Sequence, residues 1–227
     1  MRTVLVTGAN GLLGTNVVLE LLSRGYAVNG LVRSRRRFMD YSHPLLELVI
    51  GDIRDKTSLQ AAARGCDFVV HTAADTSQKH LKVTDYDAVN LEGTKNILDL
   101  CRQEGIRRLV YIGTANTCGF GSRENPGDEQ SPPAPPFTGC LYALSKIKAG
   151  ELIDTAVSEG MDIVTISPTF MIGPYDYCLL YTSDAADDLP CVDLGGRPII
   201  KQKKNKKPQY EPTLTALTLP PPHTQQP

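Results

Sequence analysis

The chain has no long apolar run, no excess charge of either sign and no paired cysteines, and each absence removes a class of function. Nothing in it approaches the roughly 18 consecutive apolar residues that a membrane helix needs, so no membrane is expected as a partner. A formal net charge of −1 over 227 residues gives no whole-protein attraction to nucleic acid, so that partner is not expected either. The six cysteines, Cys66, Cys101, Cys118, Cys140, Cys178 and Cys191, form no C-x-x-C pair and no metal-like spacing. They read as buried or idle thiols of a reducing compartment, and no metal site is expected. The opening M-R-T-V-L-V-T-G-A-N-G carries too short an apolar run for a secretory leader, which points to the cytoplasm. With 41% hydrophobic residues, the composition suits one sizeable core.

What the chain does have is alternation. Short β-branched runs at residues 3–7, 27–32, 48–50, 67–71, 109–112 and 163–167 read as strands, and helical spacing recurs at residues 12–22, 56–63, 85–103 and 141–158. Strands separated by helix-length segments need crossover connections, which predicts an α/β fold: a doubly wound, mainly parallel sheet with helices on both faces. Between Thr114 and Tyr142 lies an insert containing N-P-G-D-E-Q-S-P-P-A-P-P, which is neither a helix interior nor a central strand. It reads either as a loop over a site or as a plain surface connection.

The segment T-G-A-N-G-L-L-G, residues 7–14, ends the first strand and opens the first helix. Gly8, Gly11 and Gly14, with Asn10, Leu12 and Leu13 between them, would allow a tight turn, close approach of backbone to a pyrophosphate and close helix packing. The unpaired N–H groups of the helix N-terminus would face the negative charge. A dinucleotide cofactor is therefore expected. The second strand ends L-V-R-S-R-R-R, without the Asp or Glu that would hold a ribose 2′-hydroxyl. Arg33, with Ser34 and Arg35 nearby, can instead pair with a 2′-phosphate, so NADP is favoured, with NAD as the alternative. Residues 35–37 otherwise read as a solvated charge run.

Tyr142 and Lys146, in Y-A-L-S-K, stand four apart on a helical pattern and share a face. An ammonium beside a phenol would draw its titration down from near pH 10 towards the working range, as proton transfer at neutral pH requires.

The glycine loop and this pair together resemble the extended short-chain dehydrogenase/reductase family, which includes nucleotide-sugar epimerases, dihydroflavonol-reductase-like enzymes and 3β-hydroxysteroid dehydrogenases. Further matches follow in order over residues 1–177. G-D-I, with Asp52 and Ile53, resembles the adenine-contacting segment. H-T-A-A, with Ala73 and Ala74, resembles the small-residue loop lining the cofactor. N-L-E-G-T at residues 90–94 is similar to the family's N-x-x-G-T motif, and P-T-F-M-I-G-P, beginning at Pro168, to its segment beside the nicotinamide. The resemblance implies a Rossmann fold and a hydride exchange with a carbonyl/alcohol pair. Tyr142 would serve as acid/base, Lys146 would hold the ribose and tune Tyr142, and Thr114 would orient the substrate oxygen, with Thr117 as runner-up for that role. His71, at a strand end without a partner motif, reads as structural. The family also leaves open a nucleotide-sugar epimerase or dehydratase with retained NAD, and a non-catalytic dinucleotide-binding protein stands as the reading from another class. A small-molecule substrate is the expected partner, and a homodimer is left open.

After Tyr177 the pattern stops. C-L-L-Y-T-S-D-A-A-D-D at residues 178–188 matches an in-frame translation of a transposase mosaic-end sequencing adapter. V-D-L-G-G-R-P-I-I at residues 192–200 matches the adapter's next block except at Pro198. Residues 178–227 are therefore expected to be a non-native, disordered tail rather than a basic nucleic-acid-binding segment or a linker. The natural protein is expected to continue past residue 177 into a substrate domain.

Overall fold

A computed structural model describes residues 1–35, 41–77 and 79–175, all within one compact unit. Expectations about the tail, and about Arg36 and Arg37, lie outside the described residues.

Six strands, β1 (Thr3–Thr7), β2 (Ala27–Val32), β3 (Leu46–Ile50), β4 (Phe68–His71), β5 (Arg108–Ile112) and β6 (Ile163–Ile166), form one sheet in the order β3-β2-β1-β4-β5-β6. Every pairing is parallel, with Thr3 opposite Ala27, Val4 opposite Phe68 and Leu109 opposite Ile163. The order reverses between β1 and β4, and in open parallel sheets ligands bind at the carboxyl ends of the strands at such a switch point.

Alternation along the strands sorts the core into two layers. Val4, Val6, Val28 and Val32 point to the face covered by helix α1 (Leu12–Ser23), where they meet Val18 and Leu22. Leu5, Leu31, Val69, Leu109 and Tyr111 point to the other face. That face is covered by α2 (Lys56–Ala63), α4 (Glu92–Gln103) and α5 (Leu141–Ser158), which contribute Leu59, Ile97 and Ile153. The doubly wound expectation is met. At the β6 edge the cover on α1's side thins: Val164 and Ile166 are exposed, although Val28 and Val32 on that face are buried.

The single helix expected over residues 85–103 is broken. A one-turn helix, α3 (Thr84–Tyr86), runs into a π-helical turn, Asp87–Leu91, before α4 begins. The turn places Asn90 in the core, where its side chain makes three bonds. Its Nδ2 donates to the Asp75 carbonyl at 3.0 Å and to Ser145 Oγ at 2.9 Å, and its Oδ1 accepts from the Asp75 N–H at 2.8 Å. Such single π-helical turns are rare and recur at functional sites. Asn90→Ala would leave these buried groups without their partner, with an expected loss of about 1–3 kcal/mol, measurable by urea unfolding.

Candidate active site

The glycine loop has the geometry that its sequence predicts. Gly8 sits at φ +66, a conformation that favours glycine, and a β-carbon there would lie 2.8 Å from the Ala73 backbone. A β-carbon on Gly14 would run into the Gly8 carbonyl oxygen, so helix and loop approach each other as only glycine permits. The turn is held by Gly11 N–H donating to the Gly8 carbonyl at 2.9 Å and Ala9 N–H donating to the Leu31 carbonyl at 3.3 Å.

Over this loop lies a cavity of about 340 Å³. Of the residues predicted to bind cofactor, Gly8, Asn10, Gly11, Arg33, Asp52, Ile53, Ala73 and Ala74 line it together. Leu12, Leu13, Gly14, Tyr142, Lys146 and Pro168 are not among its lining residues. Leu12 instead faces Gly173, and Asn16 Nδ2 donates to the Pro174 carbonyl at 3.0 Å, so the segment beginning at Pro168 returns to the start of α1. Pro168 itself accepts at its carbonyl from Ala115 N–H at 2.9 Å, which ties the ends of β5 and β6. A dinucleotide fits the residues present: the cradle is one that added β-carbons would fill, and the helix N-terminus beside it carries no side-chain cap.

Sequence reasoning missed the far wall of the cavity, Asp75, Thr76 and Ser77. Its one available signal was the polar D-T-S directly after the H-T-A-A loop. Asp75 receives His80 Nε2 at 2.9 Å. Burial alone would raise its carboxyl, but hydrogen bonds from His80 and Ser77 and the positive charge of His80 and Arg33 hold it below the usual carboxylate range. Asp52 is gripped by Arg54 at 3.0 and 2.7 Å; that contact, with the charge of Arg33, holds its carboxyl low as well. Arg33 is exposed on the cavity rim. Arg35 is turned away, donating to the Leu48 carbonyl at 3.1 Å.

Beyond the β5 end, Thr114 is buried. Its hydroxyl accepts from Asn116 N–H at 3.3 Å, and among the described residues its own proton meets no acceptor. The Thr117 hydroxyl donates to the Thr114 carbonyl at 2.7 Å, so of the two threonines Thr114 keeps a proton to offer. Tyr142 and Lys146 both stand on the first turns of α5. Lys146 Nζ donates to the Ile112 carbonyl at 2.7 Å, and burial pushes its titration down to about 7. The expected lowering of Tyr142 by Lys146 is not the state of this structure: burial, reinforced by Cys140 and Tyr86, raises the phenol. The ammonium is aimed at the strand end rather than at the phenol oxygen. The proline-rich insert, with Lys146 and Phe170, lines a groove of about 1060 Å³, which favours a loop over a site.

His71 is buried, sharing a 2.7 Å hydrogen bond between its Nδ1 and Thr7 Oγ1. Burial and the charge of Lys146 push its titration down to about 3, so it is a neutral structural side chain. Among the described residues no cluster of three metal-ligating side chains occurs, and no helix is long and apolar enough to cross a membrane.

Strand order, glycine cradle and cavity define a dinucleotide-binding α/β protein of the short-chain dehydrogenase/reductase type. The chain belongs to the NAD dependent epimerase/dehydratase family, whose model matches residues 4–186. It is 33% identical over 197 residues to a dihydroflavonol 4-reductase of Zea mays, covering 76% of this chain and 54% of that protein. It is 33% identical over 180 residues to a 3-beta-hydroxysteroid dehydrogenase of Mycolicibacterium neoaurum, covering 76% and 48%. Among solved structures, a UDP-glucose 4-epimerase of Thermus thermophilus in complex with NAD matches with a TM-score of 0.62 at 28% identity, covering 77% of this chain and 60% of that one. The chain spans about half the length of the curated relatives it matches.

Proposed function

We propose that this chain is the cofactor-binding part of an NADP-dependent reductase or dehydrogenase acting on the carbonyl/alcohol pair of a small molecule. The observation that supports the reading is that Lys146, four residues after Tyr142 on α5, reaches the Ile112 carbonyl at the end of β5, two residues before Thr114, in the sheet whose β1 end opens into the glycine-cradled cavity. The bound cofactor supplies or accepts the hydride. Tyr142 gives or takes the proton on the substrate oxygen, Thr114 donates a hydrogen bond that orients that oxygen, and Lys146 holds the nicotinamide ribose. Gly8, Asn10, Gly11 and the start of α1 hold the pyrophosphate, Asp52 and Ile53 face the adenine, and Ala73, Ala74 and Pro168 bound the rest of the cofactor. The proposed setting is the cytoplasm, which the unpaired spacing of the cysteines suggests.

Arg33 supports NADP over NAD, because a guanidinium on the cavity rim matches a 2′-phosphate. Titration calorimetry of this chain tests it. NADPH is expected to bind more tightly than NADH, and Arg33→Ala is expected to weaken NADPH about 10- to 100-fold with a small effect on NADH. Equal losses for the two would remove the NADP assignment, and failure of both to bind would remove the whole reading. The likeness to a UDP-glucose 4-epimerase supports a second reading, a nucleotide-sugar epimerase retaining NAD. Tighter binding of NAD than NADP would move the assignment there.

A further inference from the structure

Tyr111 has no part in the roles above, yet on β5 it is one of the largest fully buried side chains, 1% exposed. Among the described residues its hydroxyl meets no partner in good hydrogen-bond geometry, and only Thr94 acts on it as a hydrogen-bonding group, so the phenolic oxygen gives a weak reason for an aromatic residue there. One face of the ring lies 4.4 Å from Lys146 Nζ, and the His71 ring lies 6.0 Å away, tilted by 35°.

Lys146 is 3% exposed, an expensive place for an ammonium. The Ile112 carbonyl satisfies one of its three N–H bonds. The other groups around it are His71 from β4, Tyr111 from β5 and Tyr142 on its own helix; on α4, Thr94 acts on the Tyr111 hydroxyl. At neutral pH none of these carries a negative charge: His71 is uncharged and both phenols are raised by burial. Strand carbonyl and aromatic face are therefore what oppose the loss of water around the cation.

We propose that Tyr111 is a positioning residue whose ring face favours the charged form of Lys146 and directs its ammonium at the β5 end, the place from which it would meet the cofactor ribose. The role of Lys146 rests on the reading given above; its placement on the ring does not. An aromatic quadrupole attracts a cation most strongly when both are desolvated, as here. A strand position next to the accepting carbonyl fixes the ring under the ammonium, because Tyr111 and Ile112 are consecutive. A benzene ring alone would serve.

The test grades the ring and watches the lysine. Phenylalanine and a series of increasingly fluorinated phenylalanines are placed at 111 in this chain, and the Lys146 titration is followed by NMR with ¹³C-labelled lysine, assigned by Lys146→Met. Tyr111→Phe is expected to leave the titration in place. Progressive fluorination, which weakens the quadrupole at nearly constant shape, is expected to lower it stepwise, by about 0.5–1.5 pH units at the end of the series. A titration indifferent to fluorination would overturn the proposal. Tyr111→Leu is the larger change; if it fails to fold, the fluorinated series still decides. Cofactor affinity measured on the same samples separates the two claims: a lysine that follows the ring while Lys146→Met binds cofactor normally would sink the ribose-holding role alone.

Discussion

Tyr142→Phe is expected to lower turnover about a thousandfold in the complete enzyme, with cofactor affinity nearly unchanged. The substitution removes one oxygen and with it the proton that, on the proposed reading, reaches the substrate. The ring remains in its place beside Tyr86, with centroids 6.3 Å apart. Because burial, Cys140 and Tyr86 hold the phenol protonated above its ordinary range, Tyr142 is a ready donor at neutral pH and a poor base. Reduction of the carbonyl should therefore run well near pH 7, and oxidation of the alcohol should accelerate as pH rises. Steady-state kinetics in both directions, with calorimetry for the cofactor, check the prediction. A Phe variant retaining a tenth of its turnover would take the proton transfer away from Tyr142.

The second large effect concerns stability in acid. The free energy of unfolding of this chain is expected to fall by about 3 kcal/mol between pH 6.5 and pH 4 through His71 alone. Its ordinary value of 6.5 is lowered to about 3 in the folded state. As pH falls through this window the unfolded chain takes up a proton that the folded chain refuses, so stability is lost on acidification, at up to about 1.4 kcal/mol per pH unit. Asp52, Asp75 and Asp128 are also held low, but their contributions are lost mainly below 3.8, the ordinary value of the unfolded carboxyl. Lys146, lowered from 10.5 to about 7, acts in a third window, where stability rises from pH 7 upward. Urea unfolding at pH 6.5 and 4 should therefore show a smaller acid loss in His71→Gln than in the parent. Equal losses would mean that the ring is not held neutral.

The parts of this structure that announce themselves in sequence are those governed by local rules. β1 and β2 fall where β-branched runs placed them; pairing with a neighbour starts β3 and β5 one or two residues before their apolar centres, whereas β4 and β6 are each one residue shorter than expected. The glycine loop was legible because Gly8 and Gly14 answer steric demands set within a few residues. The π-helical turn was not, since residues 85–103 keep a helical apolar pattern, and what breaks it is a side-chain bond from Asn90 to Asp75, fifteen positions away. The same distance effect hid the surroundings of Tyr142 and Lys146. Their spacing placed them on one helix, but Tyr111 and the Ile112 carbonyl, which receive the ammonium, come from a strand more than thirty residues earlier. Arg33 was visible as a cation, whereas the carboxylates of Asp52 and Asp75 that share its field meet only in the folded sheet.

Asn90 also has a mechanical consequence. One side chain bolts the backbone of the Asp75 wall to Ser145, the residue before Lys146, so the rim of the cavity is linked directly to the helix that carries Tyr142 and Lys146. The proline-rich insert between Thr114 and Tyr142, which lines the neighbouring groove, has no such tie from Asn90. The wall and the start of α5 are thus tied through a single amide, and losing that one side chain would free both at once.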